Sequence, residues 1–150
     1  MKLEEEIKQD TPFKNDFSKL AVNILYTHGW LNNTYADILK KYSITTAQYN
    51  ILRILKGQHP NPASISLLKE RMLDKMSDAS RLVDRLILKD LVERKICPND
   101  RRKAEVLITP KGMSLLKELE IIEEKHKETF GNLSEEEVKK LNNLLDKMRG

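Results

Sequence analysis

Residues 77–112, SDASRLVDRLILKDLVERKICPNDRRKAEVLITPKG, constrain the chain most, because their apolar period changes from helix to strand and back to helix within one span. Ala79, Leu82, Val83, Leu86 and Ile87 fall at i, i+3, i+4, i+7 and i+8, which puts them on one stripe of a helix. Asp78, Ser80, Arg81, Asp84, Arg85 and Lys89 occupy the other face. Ser77 stands just before the pattern and is predicted to cap the helix by accepting from backbone N–H groups of its first turn. Residues 91–96 and 105–109 alternate as short strands, and residues 97–104 between them read as a turn carrying three adjacent cations, Arg101, Arg102 and Lys103. Thr109 and Pro110 then start another helix, with proline at the position where its missing N–H costs nothing.

The remaining segments are helical. An apolar stripe from Phe13 to Tyr42 predicts one long helix of about thirty residues, with a bend near Gly29. So long a helix cannot bury its whole stripe within one small domain, so part of it should meet another surface. Thr45 and Gln48 form a capping box, Ile44 and Tyr49 its hydrophobic staple, and Gly57 should end that helix. Ser64 is expected to cap a helix over residues 65–72, and residues 73–76 form the turn into the stripe of 79–87. Leu115, Leu119, Ile122, His126 and Phe130 continue a helical stripe that Gly131 and Asn132 break. A second capping box, Ser134 with Glu137, opens the last helix. The expected fold class is mainly α with a small β-hairpin wing: a winged helix-turn-helix with a helical region built from both chain ends.

Charge is distributed unevenly. Residues 53–112 carry 14 basic and 8 acidic side chains, an excess of six, whereas residues 1–52 carry 6 of each and residues 113–150 carry 7 basic and 9 acidic. A polyanion would be drawn to the middle segment. The short polar tip of the 79–87 helix suits end-on entry into a DNA major groove, with Arg81 long enough to reach a base edge or a phosphate. A merely solvated charged face is the plainer reading of that helix taken alone. The single cysteine, Cys97, excludes an internal disulfide and a cysteine-rich metal site. His28, His59 and His126 are scattered, and no metalloprotease pair, phosphate loop or nucleophile elbow is present, so neither an enzyme nor a cofactor is expected. No apolar run approaches a membrane span and the acidic N-terminus lacks a signal segment, which leads to the expectation of a cytoplasmic protein without membrane contact.

The pattern resembles the multiple-antibiotic-resistance regulator (MarR) family of bacterial transcription factors. The likeness rests on Ser77, Ser80, Arg81, Leu82, Val83, Arg85 and Leu86, on the run Leu91, Val92, Glu93, Arg94, and on Asp100, Arg102, Val106, Thr109 and Gly112. Asp90 stands where the family usually has glycine, and aspartate tolerates the left-handed conformation better than most residues. Ile108 stands where the family usually has leucine.

The resemblance implies one domain over 1–150, with a helical dimerisation region at 12–42 and 111–150 and a DNA-binding region at 45–110. It implies a homodimer on double-stranded DNA, binding a near-palindromic operator, usually as a repressor, under a small aromatic or anionic effector. In that reading Ser77, Asp78, Ser80 and Arg81 face the major groove. Arg85, Lys75, Ser64, Arg101 and Lys103 meet the backbone. Arg102 enters the minor groove, with Asp100 orienting it or its neighbour. Tyr26, His28, Trp30 and Tyr49 are the candidate effector-pocket residues, with ordinary core or interface aromatics as the plainer alternative. Two other readings stay open: a winged fold serving as a protein-interaction module, and a redox-responsive regulator using Cys97. A partly buried structural role suits Cys97 better, since it is expected at the base of the wing.

Overall fold

The computed structural model describes residues 1–150, apart from the side chains of Arg101 and Arg102. In chain order the elements are α1 (Leu3–Glu6), α2 (Asp16–Lys40), α3 (Thr46–Gln58), β1 (Ala63–Ser64), α4 (Ile65–Arg71) and α5 (Ala79–Leu88). They continue with β2 (Val92–Cys97), β3 (Asp100–Ile108), α6 (Pro110–Glu118), α7 (Ile121–Thr129) and α8 (Glu135–Arg149). The fold is mainly helical around a small antiparallel sheet of order β1-β3-β2, the winged helix-turn-helix expected from the sequence. The pairing of β1 through Ala63 to Val106 and Ser64 to Glu105 was not expected, because a two-residue strand leaves no period to detect.

Local chemistry starts most elements where the sequence places them. Thr45 accepts from the Gln48 amide and Gln48 returns the bond to the Thr45 amide, at 3.1 and 3.0 Å. Ser64 caps α4, Thr109 caps α6 with Pro110 inside the first turn, and Ser134 with Glu137 boxes the start of α8. Four boundaries differ. Helix α2 runs from Asp16 to Lys40 rather than from Phe13 to Tyr42, because Asn15 caps it by accepting from the Ser18 amide at 2.8 Å. Asp78 rather than Ser77 caps α5, accepting from the Arg81 amide at 3.1 Å, because the Ser77 hydroxyl instead donates to Asp74 Oδ2 at 2.8 Å. Helix α3 runs past Gly57 to Gln58, with His59 as its C-cap. The continuous helix expected after the wing is two, α6 and α7, divided at Leu119 and Glu120.

The core gathers Leu39 of α2, Ile51, Leu52 and Leu55 of α3, Leu68 of α4, Ala79, Val83 and Leu86 of α5, Val92 and Val106 of the sheet, and Leu116, Leu119 and Ile122 of the C-terminal helices. The chain ends contribute little to it. Leu39 is the only buried residue of α2, while Phe17 and Leu25 on that helix are 85% and 72% exposed. Helix α8 buries none of its residues and leaves Leu141, Leu144 and Met148 in solvent.

Two backbone positions seat the wing on this core. Asp90, directly after α5, has φ +59°, the left-handed value that glycine takes most easily. Gly112 packs so closely that a Cβ there would lie 2.3 Å from the Leu91 carbonyl oxygen and 2.7 Å from Ile108 Cγ1. Gly112→Ala is therefore expected to destabilise the fold by about 1–3 kcal/mol through overpacking against backbone. Asp90→Gly should leave stability unchanged or raise it by up to about 1 kcal/mol by relieving the left-handed residue. Urea denaturation of the two variants beside the parent checks both, and an Asp90→Gly loss as large as that of Gly112→Ala would contradict this account of the turn.

Candidate nucleic-acid interface

The orientation of α5 follows from its apolar stripe. Ala79, Val83 and Leu86 are fully buried and Leu82 and Ile87 half-buried, so Ser80, Arg81, Asp84 and Arg85 are left on the exposed face. No ion pair among the described residues holds Arg81 or Arg85. Asp78 lends its carboxylate to the helix start, which leaves its second oxygen as the group it can present outward.

The turn before α5 is tightly tied. The Met76 amide donates to Asp74 Oδ1 at 2.9 Å and the Leu73 amide to Asn50 Oδ1 at 2.9 Å. The bond from the Met76 amide, followed by that from the Ser77 hydroxyl, holds the Asp74 carboxyl below its ordinary pKa. Lys75 is exposed, and its ammonium donates to the Glu70 carbonyl oxygen. Ser64 accepts from the Leu67 amide at 3.1 Å, which leaves its hydroxyl hydrogen available for an incoming acceptor.

The wing is a tighter hairpin than the sequence suggests. The turn is residues 98–99 alone, and β3 already begins at Asp100. Cys97 pairs with Asp100 and Ile96 with Ala104, so residues 101–103, the three cations, are extra on β3 in a bulge. Lys103 is exposed and Asp100 half-buried. The expected roles of the Arg101 and Arg102 side chains lie outside the described residues. Cys97 is half-buried and free, and it stands at the tip end of β2 rather than at the base of the wing, because the turn that follows is only two residues long.

Three polar links fasten helix and wing together. Arg94 of β2 meets Asp84 of α5 at 3.0 Å, the Thr109 hydroxyl donates to the Asp90 carbonyl oxygen at 2.6 Å, and Lys111 Nζ donates to the Lys89 carbonyl oxygen at 3.0 Å. The Asp84–Arg94 pair escaped the sequence reading; an outward carboxylate on the helix and a cation two residues into the next strand are the only signal of it. An exposed pair of this kind contributes about 0–1 kcal/mol, so its value lies in alignment more than in stability.

The four candidate pocket residues do not converge. Tyr26, His28 and Trp30 are exposed on α2, where Tyr26 and Trp30, four residues apart, share one side and His28 lies on another. Tyr49 sits half-buried on α3 against the core, and burial pushes its hydroxyl pKa up, as it does for Tyr35. A concavity of about 740 Å³ lies elsewhere: Lys40, Arg85 and Lys89 supply cations, Ser43, Thr45 and Thr46 hydroxyls, and Ala36, Ile44 and Leu88 apolar wall. Among the described residues no helix is long and apolar enough to cross a membrane, and no three His, Cys, Asp or Glu side chains form a metal-binding group.

These features recur in known proteins. The sequence profile of the MarR family matches residues 44–104, which span α3, α4, α5 and most of the wing. The HTH-type transcriptional regulator MgrA of Staphylococcus aureus is 29% identical over 131 residues, covering 87% of each chain. The HTH-type transcriptional repressor IacR of Pseudomonas putida is 28% identical over 120 residues, 79% of this chain and 71% of that one. A MarR-like transcription regulator from Bacillus cereus superposes with a TM-score of 0.80 at 25% identity, covering 89% of this chain and 96% of the other. A mutant MarR from E. coli complexed with operator DNA gives 0.79 at 26% identity, covering 92% and 99%. With α5, the wing and these relatives in agreement, residues 44–104 form a MarR-family domain, the winged helix-turn-helix of DNA-binding transcriptional regulators.

Proposed function

We propose that the chain acts as a homodimeric repressor that binds a near-palindromic operator and is released by a small aromatic or anionic effector. The observation that carries this reading is the exposure of large apolar side chains on α2 and α8, beside a basic middle segment of the chain that bears α5 and the wing. Residues 12–42 and 111–150 serve dimerisation and residues 45–110 serve DNA. A two-fold dimer sets two reading helices one DNA turn apart, about 34 Å, and so selects a palindrome. Repression draws on the name of the Pseudomonas putida relative.

On DNA, Ser77, Asp78, Ser80 and Arg81 face the major groove, and Arg81 supplies the base-edge contact. Arg85, Lys75, Ser64, Arg101 and Lys103 meet phosphates, and neutralising them releases counterions and supplies affinity without sequence preference. Arg102 enters the minor groove with Asp100 orienting it or its neighbour. The concavity beside Arg85 supports effector control better than the aromatic set does, because it joins three cations to apolar wall. An anion bound there would occupy Arg85 and compete with a phosphate.

Selection from random duplex DNA at two salt concentrations tests the reading. A near-palindrome should be enriched, with affinity falling steeply as salt rises. If no sequence is enriched, the interaction-module alternative replaces this reading. On the selected duplex, Arg81→Ala should cost about 1–3 kcal/mol and relax preference at one position per half-site, whereas Lys103→Ala should weaken all sequences alike and reduce the salt slope by about one. Leu144→Glu on the exposed face of α8 should give a folded monomer by sedimentation and lose operator affinity. A Leu144→Glu protein that remains dimeric would move the interface away from α8.

A further inference from the structure

The turn between α4 and α5 holds two large apolar side chains in water. Leu73 is 87% and Met76 92% exposed, among the most exposed large hydrophobic residues of the chain. Their backbone is not loose: the Leu73 amide is bonded to Asn50 and the Met76 amide to Asp74, each at 2.9 Å, and the Ser77 amide donates to the Asp74 carbonyl oxygen at 3.3 Å. The turn therefore fixes both side chains outward, and Met76 lies two positions before Asp78, the cap of the reading helix. Exposed Lys69, Glu70, Arg71, Lys75 and Arg81 flank them in sequence, and the Asp74 and Asp78 carboxylates each accept from a backbone amide of the turn or the helix start.

A partner for this patch meets the wider basic excess of residues 53–112 and must offer small apolar groups beside the N-terminus of α5. Duplex DNA does so through the C5-methyl group of thymine, the one apolar group on a base edge in the major groove. We propose that Met76, with Leu73 behind it in the turn, packs against thymine methyl groups and so selects A·T pairs at one edge of each half-site. Methionine suits the task, since its unbranched thioether adapts to the position of the methyl at little cost. The inference rests on the DNA-binding reading above and adds to the hydrogen-bonding residues of α5 a contact that reads by shape and desolvation.

The test uses the full-length protein and the duplex it selects, with deoxyuridine replacing thymine one position at a time, which deletes only the methyl group. At one or two thymines per half-site the parent should lose about fourfold in affinity, the worth of one buried methyl-sized group. Met76→Ala should bind the all-thymine duplex more weakly by a similar factor, lose nothing further at those positions, and lose as much as the parent at control positions. Its melting temperature should match the parent's, because so exposed a side chain contributes little to the fold. Full tolerance of deoxyuridine by the parent, or an equal loss in parent and Met76→Ala at every thymine, overturns the proposal while leaving the DNA reading intact. Unchanged DNA binding by Met76→Ala assigns the patch to a protein partner and overturns it too. Failure to select any duplex defeats the DNA reading itself.

Discussion

Ala79, Val83 and Leu86 lose all contact with solvent on a core to which α3, α4, the sheet and the C-terminal helices contribute. With three fully buried anchors along ten residues, α5 cannot rotate about its axis without pulling apolar groups into water, at roughly 1.5–3 kcal/mol for each large side chain. The direction in which Ser80, Arg81 and Arg85 point is thus a by-product of packing. The two hydrogen bonds of Asp74 and the cap at Asp78 then fix where the helix begins, and with it which residues form its tip.

The wing depends on the same anchoring, one step removed. Left-handed Asp90 turns the chain out of α5, and the absence of a Cβ at Gly112 lets α6 approach the Leu91 carbonyl. Thr109 serves both sides of this junction: its hydroxyl accepts from the Gly112 amide to start α6 and donates to the Asp90 carbonyl oxygen. The Asp84–Arg94 pair extends the linkage outward along β2. A shift of α5 is therefore passed to the hairpin through short bonds rather than through a flexible tether.

The fold class, the caps at Thr45, Ser64, Thr109 and Ser134 and the buried stripe of α5 were legible because each depends on residues within four positions of one another. What escaped depends on competition or on distance. Ser77 and Asp78 are both good caps, and the competing bond of the Ser77 hydroxyl to Asp74, three residues back, decides between them. Gly57 looks like a stop, yet α3 continues past it because glycine permits a helix end without imposing one. The short turn at 98–99 and the bulge over 101–103 are set by pairing with β2, which local composition does not encode. For the interface, the residues of α5 could be named from periodicity. The concavity of Lys40, Thr45, Arg85 and Lys89 joins two segments distant in sequence, 36–48 and 85–89, and carries no local signature.

Electrostatics sharpen what this geometry presents. The middle segment has eight acidic side chains, but Asp74 and Asp78 are committed to backbone bonds and Asp84 to Arg94, so three of the eight are engaged close to the reading helix. Arg94 is neutralised in the same exchange, and Lys75 and Lys89 donate to carbonyl oxygens, which orient a cation without cancelling its charge. Asp74 and Asp78 keep their negative charge while accepting these bonds, so the pull on a polyanion comes from the excess of six cations over the middle segment, Arg81 and Arg85 on the face of α5 among them. Arg85 stands at the edge of this field, shared between the outward face of α5 and the wall of the concavity.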